Sequence, residues 1–459
     1  MRILLTHGYF LEEDEKEKLI MKPYVPLGIL YVSAYLEQNG FPNSFFDSTF
    51  SSFEKLREEL LRERPVVVGI YTNLMTKLNV LKIISFIRSR NELAHSRIVL
   101  GGPEVRHHAK EFLKHGAHVI VVGEGEQTML ELCRAIQLEQ KITDIPGIIT
   151  EHKDHLITAG ERQLIKNLDE LPFPAREKLD LNRYINAWRN AHGESSISVS
   201  TMRGCPYTCK WCSRAVYGGT YRRRSPQLVV DEIEILQKNY DFDNIWFVDD
   251  VFTISHKWMK LFAEEISKRN VNVKYEIITR ADRLNEEMID LLAQSGCFRV
   301  WIGAESGSQK IIDAMDRRVE VKQVREMIKL AKKKNIQAGT FIMLGYPGET
   351  ESDILETIEH LSDSEPDYFT LTIAYPIKGT PLYSEMENSF IHPPDWENGT
   401  DRDIDFKRTH PKIYYEHAIR WVNNEVAYRK ERKKGMNLNA LKLKLKSVIA
   451  KRRMRSVSA

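Results

Sequence analysis

The chain has little cysteine, little net charge and no long apolar run, and each shortage removes a class of protein. Its five cysteines are odd in number and three of them fall within eight positions, which argues against a disulfide scaffold. Lys and Arg outnumber Asp and Glu by only 67 to 64, a formal +3, so whole-chain charge makes no case for nucleic acid. No stretch is apolar over the length that a membrane span requires. Met1–Phe10 reads as a strand and lacks the charged leader, apolar core and small-residue cleavage site of a secretion signal. The expected compartment is therefore the cytoplasm. What is present is ample: 42% hydrophobic residues in 459 positions, enough for two or three domains with real cores.

Residues 1–150 alternate short apolar runs with helical patterns. Strands are expected at Arg2–Thr6, Asn43–Asp47, Val66–Tyr71, Arg97–Leu100 and Val119–Val122, and helices at Leu27–Gln38, Phe53–Arg62, Leu78–Arg88, Val105–Lys114 and Glu126–Ile136. Such alternation predicts a doubly wound, Rossmann-like α/β domain whose ligand lies at the carboxyl ends of its strands. Those ends carry Thr72 and Asn73, then Gly101, Gly102 and Pro103, then Gly123, Glu124, Gly125 and Glu126; the glycines either admit a ligand or only turn the chain. Residues 151–195 read as a connector, punctuated by Pro172 and Pro174. From residue 196 to about 390 six further strand–helix units predict a full or partial TIM-like barrel. Residues 391–459 form a basic extension in which Leu438, Leu441, Leu445 and Val448 recur at helical spacing. That pattern suits a basic amphipathic helix, a merely solvated helix or a disordered end.

The sharpest motif is Cys205-Pro-Tyr-Thr-Cys209-Lys-Trp-Cys212, on the loop after the first barrel strand. Three thiolates at this spacing can hold three irons of a cubane cluster and leave the fourth iron open. A structural zinc site would be closed by a fourth ligand, and no His or Cys lies in the next 30 residues. Cys133 and Cys297 read as buried core thiols.

This motif resembles the signature of the radical S-adenosylmethionine (SAM) superfamily. The resemblance implies a [4Fe–4S] cluster on Cys205, Cys209 and Cys212 that reductively cleaves SAM to a 5′-deoxyadenosyl radical. Further positions resemble the family pattern in order, each at a strand end. Trp211 would lie near the adenine, Asp249 and Asp250 at the SAM amino group, and Arg280 at its carboxylate. Glu305 and Ser306 would contact the ribose, and the segment from Gly345 would back the adenine. For Trp211 the alternative is plain core.

The first domain resembles the cobalamin-binding domain that precedes the radical SAM core in one large subclass. Pro26-Leu27-Gly28, the strand end at Thr72, Gly101-Gly102-Pro103 and Gly123–Glu126 carry that likeness. The Asp-x-His-x-x-Gly motif that supplies a lower cobalt ligand is missing, and His107 and His108 are expected in the first turn of a helix. Within this subclass the resemblance implies cobalamin-dependent methylation of an unactivated carbon. The alternative is an oxidative ring-forming enzyme similar to the anaerobic magnesium-protoporphyrin monomethyl ester cyclase, with a cobalamin-binding or vestigial first domain. A methylthiotransferase would need a second cysteine triplet, and the first domain has only Cys133. A non-enzymatic metal-binding module would leave the strand-end residues without purpose. The implied partners are a small-molecule substrate, lipid or tetrapyrrole-like, and an electron donor such as a flavodoxin or ferredoxin. The basic tail could touch an anionic membrane surface; nucleic acid is not expected.

Overall fold

The structure, a computed structural model, describes residues 1–153 and 155–457; the last two positions of the basic tail fall outside the described residues. The chain divides into two compact units. The first comprises Met1–Pro206, Ser213–Asn244 and Pro394–Thr400, the second Tyr207–Cys212, Ile245–Pro393 and Asp401–Ala459.

The first unit carries β1 (Ile3–His7), β2 (Ser44–Phe46), β3 (Val67–Tyr71), β4 (Arg97–Gly101), β5 (Val119–Val121), β6 (Ile148–His152) and β7 (His155–Thr158). They form one sheet in the order β2-β1-β3-β4-β5-β6-β7. The first five are parallel and the last two antiparallel. Side chains alternate faces along a strand, and both faces are covered. Leu4, Val68, Ile98 and Leu100 pack with Leu56, Val80, Ile84 and Phe112; Ile3, Leu5, Val67 and Val99 pack with Ile29, Leu36, Met129 and Leu132. Cys133 lies in this second core, as its sequence context suggests, and burial pushes its thiol up to about 12.

One expectation is corrected here. The helix expected from Val105 starts only at Ala109, because Gly102 (φ +111°) and Pro103 open a turn through residue 108. His107 and His108 therefore sit ahead of the helix, not in its first turn. The segment 151–195 holds regular structure, β7 and the helix Leu181–His192. The β7 strand is largely exposed and so shows no alternating pattern.

Still in the first unit, β8 (Ser196–Val199) is followed by β9 (Met202–Arg203), which pairs antiparallel with β10 (Arg222–Arg223) at the base of the cysteine loop. The single strand expected over Ile197–Met202 is broken at Ser200, whose hydroxyl donates to the Met202 carbonyl (3.1 Å). The helix Pro226–Asn239 follows, with Ser225 capping it and Pro226 in its first turn. The Asn244 N–H donates to the Ser195 carbonyl (3.1 Å).

The second unit is built on β11 (Asn244–Phe247), β12 (Tyr275–Thr279), β13 (Cys297–Glu305), β14 (Gln337–Leu344) and β15 (Tyr368–Ile373). They pair in chain order and all in parallel, so their carboxyl ends share one edge. The helices His256–Lys268, Glu286–Gln294, Val321–Lys333 and Glu351–Ser364 return the chain between them. This is the expected partial barrel. Cys297, at the start of β13, is buried. The chain ends in two helices packed on each other, Lys412–Arg432 and Leu438–Ser456. Among the described residues no helix is long and apolar enough to cross a membrane.

Candidate active site

The segment Tyr207–Cys212 is pinned to the turn after the helix Gln309–Ala314. The Lys210 N–H donates to Met315 O (3.1 Å), and the Thr208 hydroxyl donates to the Asp316 carboxylate. Asp316 and Arg318 take positive φ values of 50° and 55°, an uncommon conformation for side chains with a Cβ. Between them Arg317 points inward. Its Nη1 lies 3.7 Å from Cys209 Sγ and its Nη2 donates to Gly303 O (2.8 Å).

Arg280, the first residue after β12, reaches the same sulfur, with Nη1 at 3.7 Å. Its Nε donates to Asp282 (2.8 Å), its Nη2 to Arg317 O (2.7 Å), and its guanidinium stacks 3.7 Å from the Tyr207 ring centroid. It is 2% exposed. The guanidinium, expected at the SAM carboxylate, here faces the Cys209 thiol.

Each of these guanidiniums also has a carboxylate near it, Asp282 at 2.8 Å from Arg280 and Glu305 at 3.6 Å from Arg317, and the donors they aim at Cys209 suit a cluster-bound thiolate. Among the described residues no three His, Cys, Asp or Glu side chains converge as a single ion would require. A cubane needs no such convergence, because each thiolate takes its own iron. The donor set therefore fits an iron–sulfur cluster better than one zinc ion.

Glu305 ends β13 with φ +63°, after a bulge between Gly303 and Glu305. The bulge re-aims the carboxylate to 3.6 Å from Arg317 Nη2. A Cβ on Gly303 would stand 2.3 Å from that Nη2, so a larger residue there would push the Arg317 guanidinium aside. Burial raises the Glu305 carboxyl, against the pull of Arg317 and then Arg280. Asp250 is raised too, by burial and then by Asp249. The Cys212 thiol is pushed up to about 12 by burial, then by Cys209 and Glu305. Cys212 and Asp250 nonetheless keep solvent-reachable surface.

Trp211 is half-buried. It packs on the apolar cluster of Ile311, Met315, Tyr346 and Leu382, with Arg317 5.7 Å from its ring. Tyr346 follows Gly345, so Trp211 and the expected adenine-backing segment meet in one cluster. Gly345 itself is a turn residue (φ +76°) whose N–H donates to Glu349 Oε2 (2.6 Å). Ser306, expected at the ribose, is buried. Its hydroxyl engages Thr357 (3.3 Å) and accepts from the Ser308 N–H (3.1 Å).

Glu349 is fully buried, and burial pushes its carboxyl up to about 8. Its protonated form therefore contributes stability that is complete below the ordinary carboxyl range and is lost as pH rises toward about 8. In Glu349→Gln that loss should disappear from chemical denaturation curves taken across this window. An unchanged pH dependence would assign it to another group.

At the carboxyl edge of the first sheet, the Thr72 N–H donates to Gly101 O (2.7 Å). A Cβ on Gly102 would meet Thr72 O at 2.3 Å, so this glycine serves close packing of two loops. Asn73 Oδ1 accepts from the N–H groups of Met75 and Thr76 (3.0 Å each) and so shapes the turn into the helix Lys77–Arg88. Pro26 and Leu27 start the helix Leu27–Gln38. Gly28, on its first turn, has only the Tyr71 ring near an added Cβ, at 3.8 Å. Gly125 opens the helix Gly125–Gln137 and lets Val32 approach to 3.0 Å of its missing Cβ. The order β2-β1-β3-β4-β5 puts a topological switch point between β1 and β3, where ligands of such sheets bind, so the edge fits a large cofactor. At the end of β1, His7 has Nε2 on Asp47 (3.1 Å) and Nδ1 on the Tyr9 N–H (3.2 Å).

Glu124 and Glu126, expected at the same ligand, take part in a buried ion network. Arg203 donates to Glu124 Oε1 (2.9 Å) and Glu126 Oε1 (2.5 Å), and Arg222 donates to Glu124 Oε2 (2.7 Å). Glu124, Glu126 and Arg203 are all buried. Removing one member leaves an uncompensated buried charge, so Glu126→Ala should cost about 3–5 kcal/mol, read by chemical denaturation. A loss below about 1 kcal/mol would show that water reaches the network.

Sequence reasoning missed Arg317, and gave Arg203 and Glu349 no role beyond membership of their motifs. Arg203 was discoverable beside the cysteine motif. Arg317-Arg318 reads as surface charge, and nothing local announces that one of the pair turns inward.

Comparison with known proteins agrees with this layout. Residues 199–361 match the radical SAM superfamily, and residues 21–133 match the B12 binding domain. An uncharacterized methyltransferase of Pyrococcus horikoshii is 28% identical over 84% of this chain and 83% of its own length. The anaerobic magnesium-protoporphyrin IX monomethyl ester cyclase of Rubrivivax gelatinosus is 27% identical over 84% of this chain and 70% of its own. The fold is similar to that of the radical SAM methyltransferase TsrM from Kitasatospora setae, solved with cobalamin and a [4Fe–4S] cluster bound. The TM-score is 0.71 at 19% identity, covering 84% of this chain and 74% of that one.

Proposed function

We propose, from the premise that the chain is a radical SAM enzyme carrying a B12-binding domain, that it methylates an unactivated carbon of a small molecule in a cobalamin-dependent reaction. The observation that carries this reading is the pairing of two sites in one chain: a three-cysteine loop and a glycine-rich strand edge at a switch point. When bound, the cluster supplies the electron that cleaves SAM and cobalamin supplies the methyl group. The chain's own part is to hold and shield. Cys205, Cys209 and Cys212 are the cluster ligands, and Arg280 and Arg317 neutralise the Cys209 thiolate. Asp250 and Glu305 offer carboxylates to the SAM amino and ribose groups; Trp211 and the segment from Gly345 offer an apolar wall to its adenine. No acid–base pair is required, because hydrogen-atom abstraction moves no catalytic proton. The electron comes from an external donor, a flavodoxin or ferredoxin in this reading.

The test is anaerobic purification, iron and sulfide reconstitution, and incubation with SAM, reductant and added hydroxocobalamin. The expected result is a bound corrin absorbance and both 5′-deoxyadenosine and S-adenosylhomocysteine as products. Deoxyadenosine without S-adenosylhomocysteine or any corrin would turn the reading to the cyclase-like alternative, for which the Rubrivivax relative gives the precedent. Untouched SAM would sink both.

A further inference from the structure

The helix Leu438–Ser456 has apolar residues on two sides, and only one is covered. Ala440, Ser447, Ala450 and Met454 are buried, and Ser447 donates to Glu425 of the preceding helix (2.5 Å). Outside stand Leu438 (85% exposed), Leu441 (54%), Leu445 (62%), Val448 (37%) and Ile449 (42%). At 3.6 residues per turn these five fall on one stripe about 100° wide.

Basic residues rim both edges of the stripe. Lys442, Lys446 and Arg453 lie along one edge, all exposed. Lys444, Lys451 and Arg455 lie along the other. Those three are anchored inward, Lys444 on Glu425 (3.1 Å), Lys451 on Glu351 (3.0 Å) and Arg455 on Glu351 (2.6 Å). Among the described residues Lys442, Lys446, Arg452 and Arg453 make no ion pair, and from 438 to 457 the sequence has no Asp or Glu.

We propose that this outer face lies on an anionic lipid surface, the apolar stripe among the acyl chains and the basic rims at the head groups. Charge and shape together select this occupant. A second copy of the chain would set basic rims against basic rims with no acid to offset them. A nucleic acid would satisfy the cations but leave five apolar side chains in water. A lipid surface takes both, with long basic side chains reaching up to the phosphates.

The experiment is flotation of the full chain with vesicles of phosphatidylcholine alone or mixed with phosphatidylglycerol. Recovery is expected only with the mixed vesicles and should fall at high salt. Lys442→Gln with Lys446→Gln should weaken it about 25-fold, a factor of about five for each lysine. Leu441→Gln with Leu445→Gln alters only exposed side chains, so the fold is retained, and it should weaken recovery at least about tenfold. Equal recovery with both vesicles, no effect of the leucine substitutions, or a stable dimer that those substitutions dissociate would each overturn the assignment.

Discussion

Cys209→Ala should lose the cluster and much of the chain's stability, whereas Cys205→Ala and Cys212→Ala should lose the cluster alone. All three variants are expected to fall to background in 5′-deoxyadenosine formation, since each removes one iron's only protein ligand. Cys209 differs because its sulfur is the shared acceptor of two buried guanidiniums, Arg280 and Arg317, each at 3.7 Å. Without it, a donor on each cation faces apolar space, at about 1–3 kcal/mol per unmet group and more for charged ones. Cys212 keeps solvent-reachable surface and Cys205 is only half-buried, so truncation there leaves no comparable debt. Denaturation midpoints of the three variants, measured without the cluster, make the comparison. Equal midpoints would mean that water relieves Arg280 and Arg317, and that the two cations are not committed to Cys209.

The second large effect is expected on the redox potential. A cation beside a cluster thiolate favours the more negative, reduced state, and a nearby carboxylate opposes it. Arg317→Leu should therefore lower the cluster midpoint by on the order of 60 mV, one tenfold change in a one-electron equilibrium. Glu305→Gln should move it the other way, because Glu305 lies 3.6 Å from Arg317 and its charge is part of the same field. Arg317→Lys keeps the charge but not the fork and should restore part of the loss. An electron paramagnetic resonance titration reads all three. Shifts of one sign in Arg317→Leu and Glu305→Gln would show that packing around the cluster, not charge, had been altered.

The sheets were the most readable part of the chain. Val67–Tyr71 and Tyr275–Thr279 are short apolar runs between turn residues, and burial on two faces leaves them no polar alternation. The cysteine loop was legible because its ligand spacing is a local property. Side-chain commitments were not local. Arg280 sits at the expected strand end, yet its direction depends on Asp282, Tyr207 and the carbonyls of Arg317 and Arg318, the last two supplied from more than 30 positions away. Glu124 and Glu126 read as ligand contacts from their place at a strand end within the Gly123–Glu126 motif. What decides their role is Arg203, 77 positions beyond Glu126. Edge strand β7 escaped for the opposite reason: half in water, it carries no core pattern.

The ion network around Arg203 bears on how such a protein can be inherited or dissected. Arg203 stands two residues before Cys205, and its carboxylate partners, Glu124 and Glu126, belong to the first 150 positions. A gene fragment beginning at Ser196 would keep every cysteine of the loop yet strip Arg203 and Arg222 of both acids. The N-terminal sheet is thus not a detachable cassette that could be swapped or deleted at the connector. Recombination at that boundary would have to replace the glutamates and the arginines together, so the two halves should travel through descent as a pair.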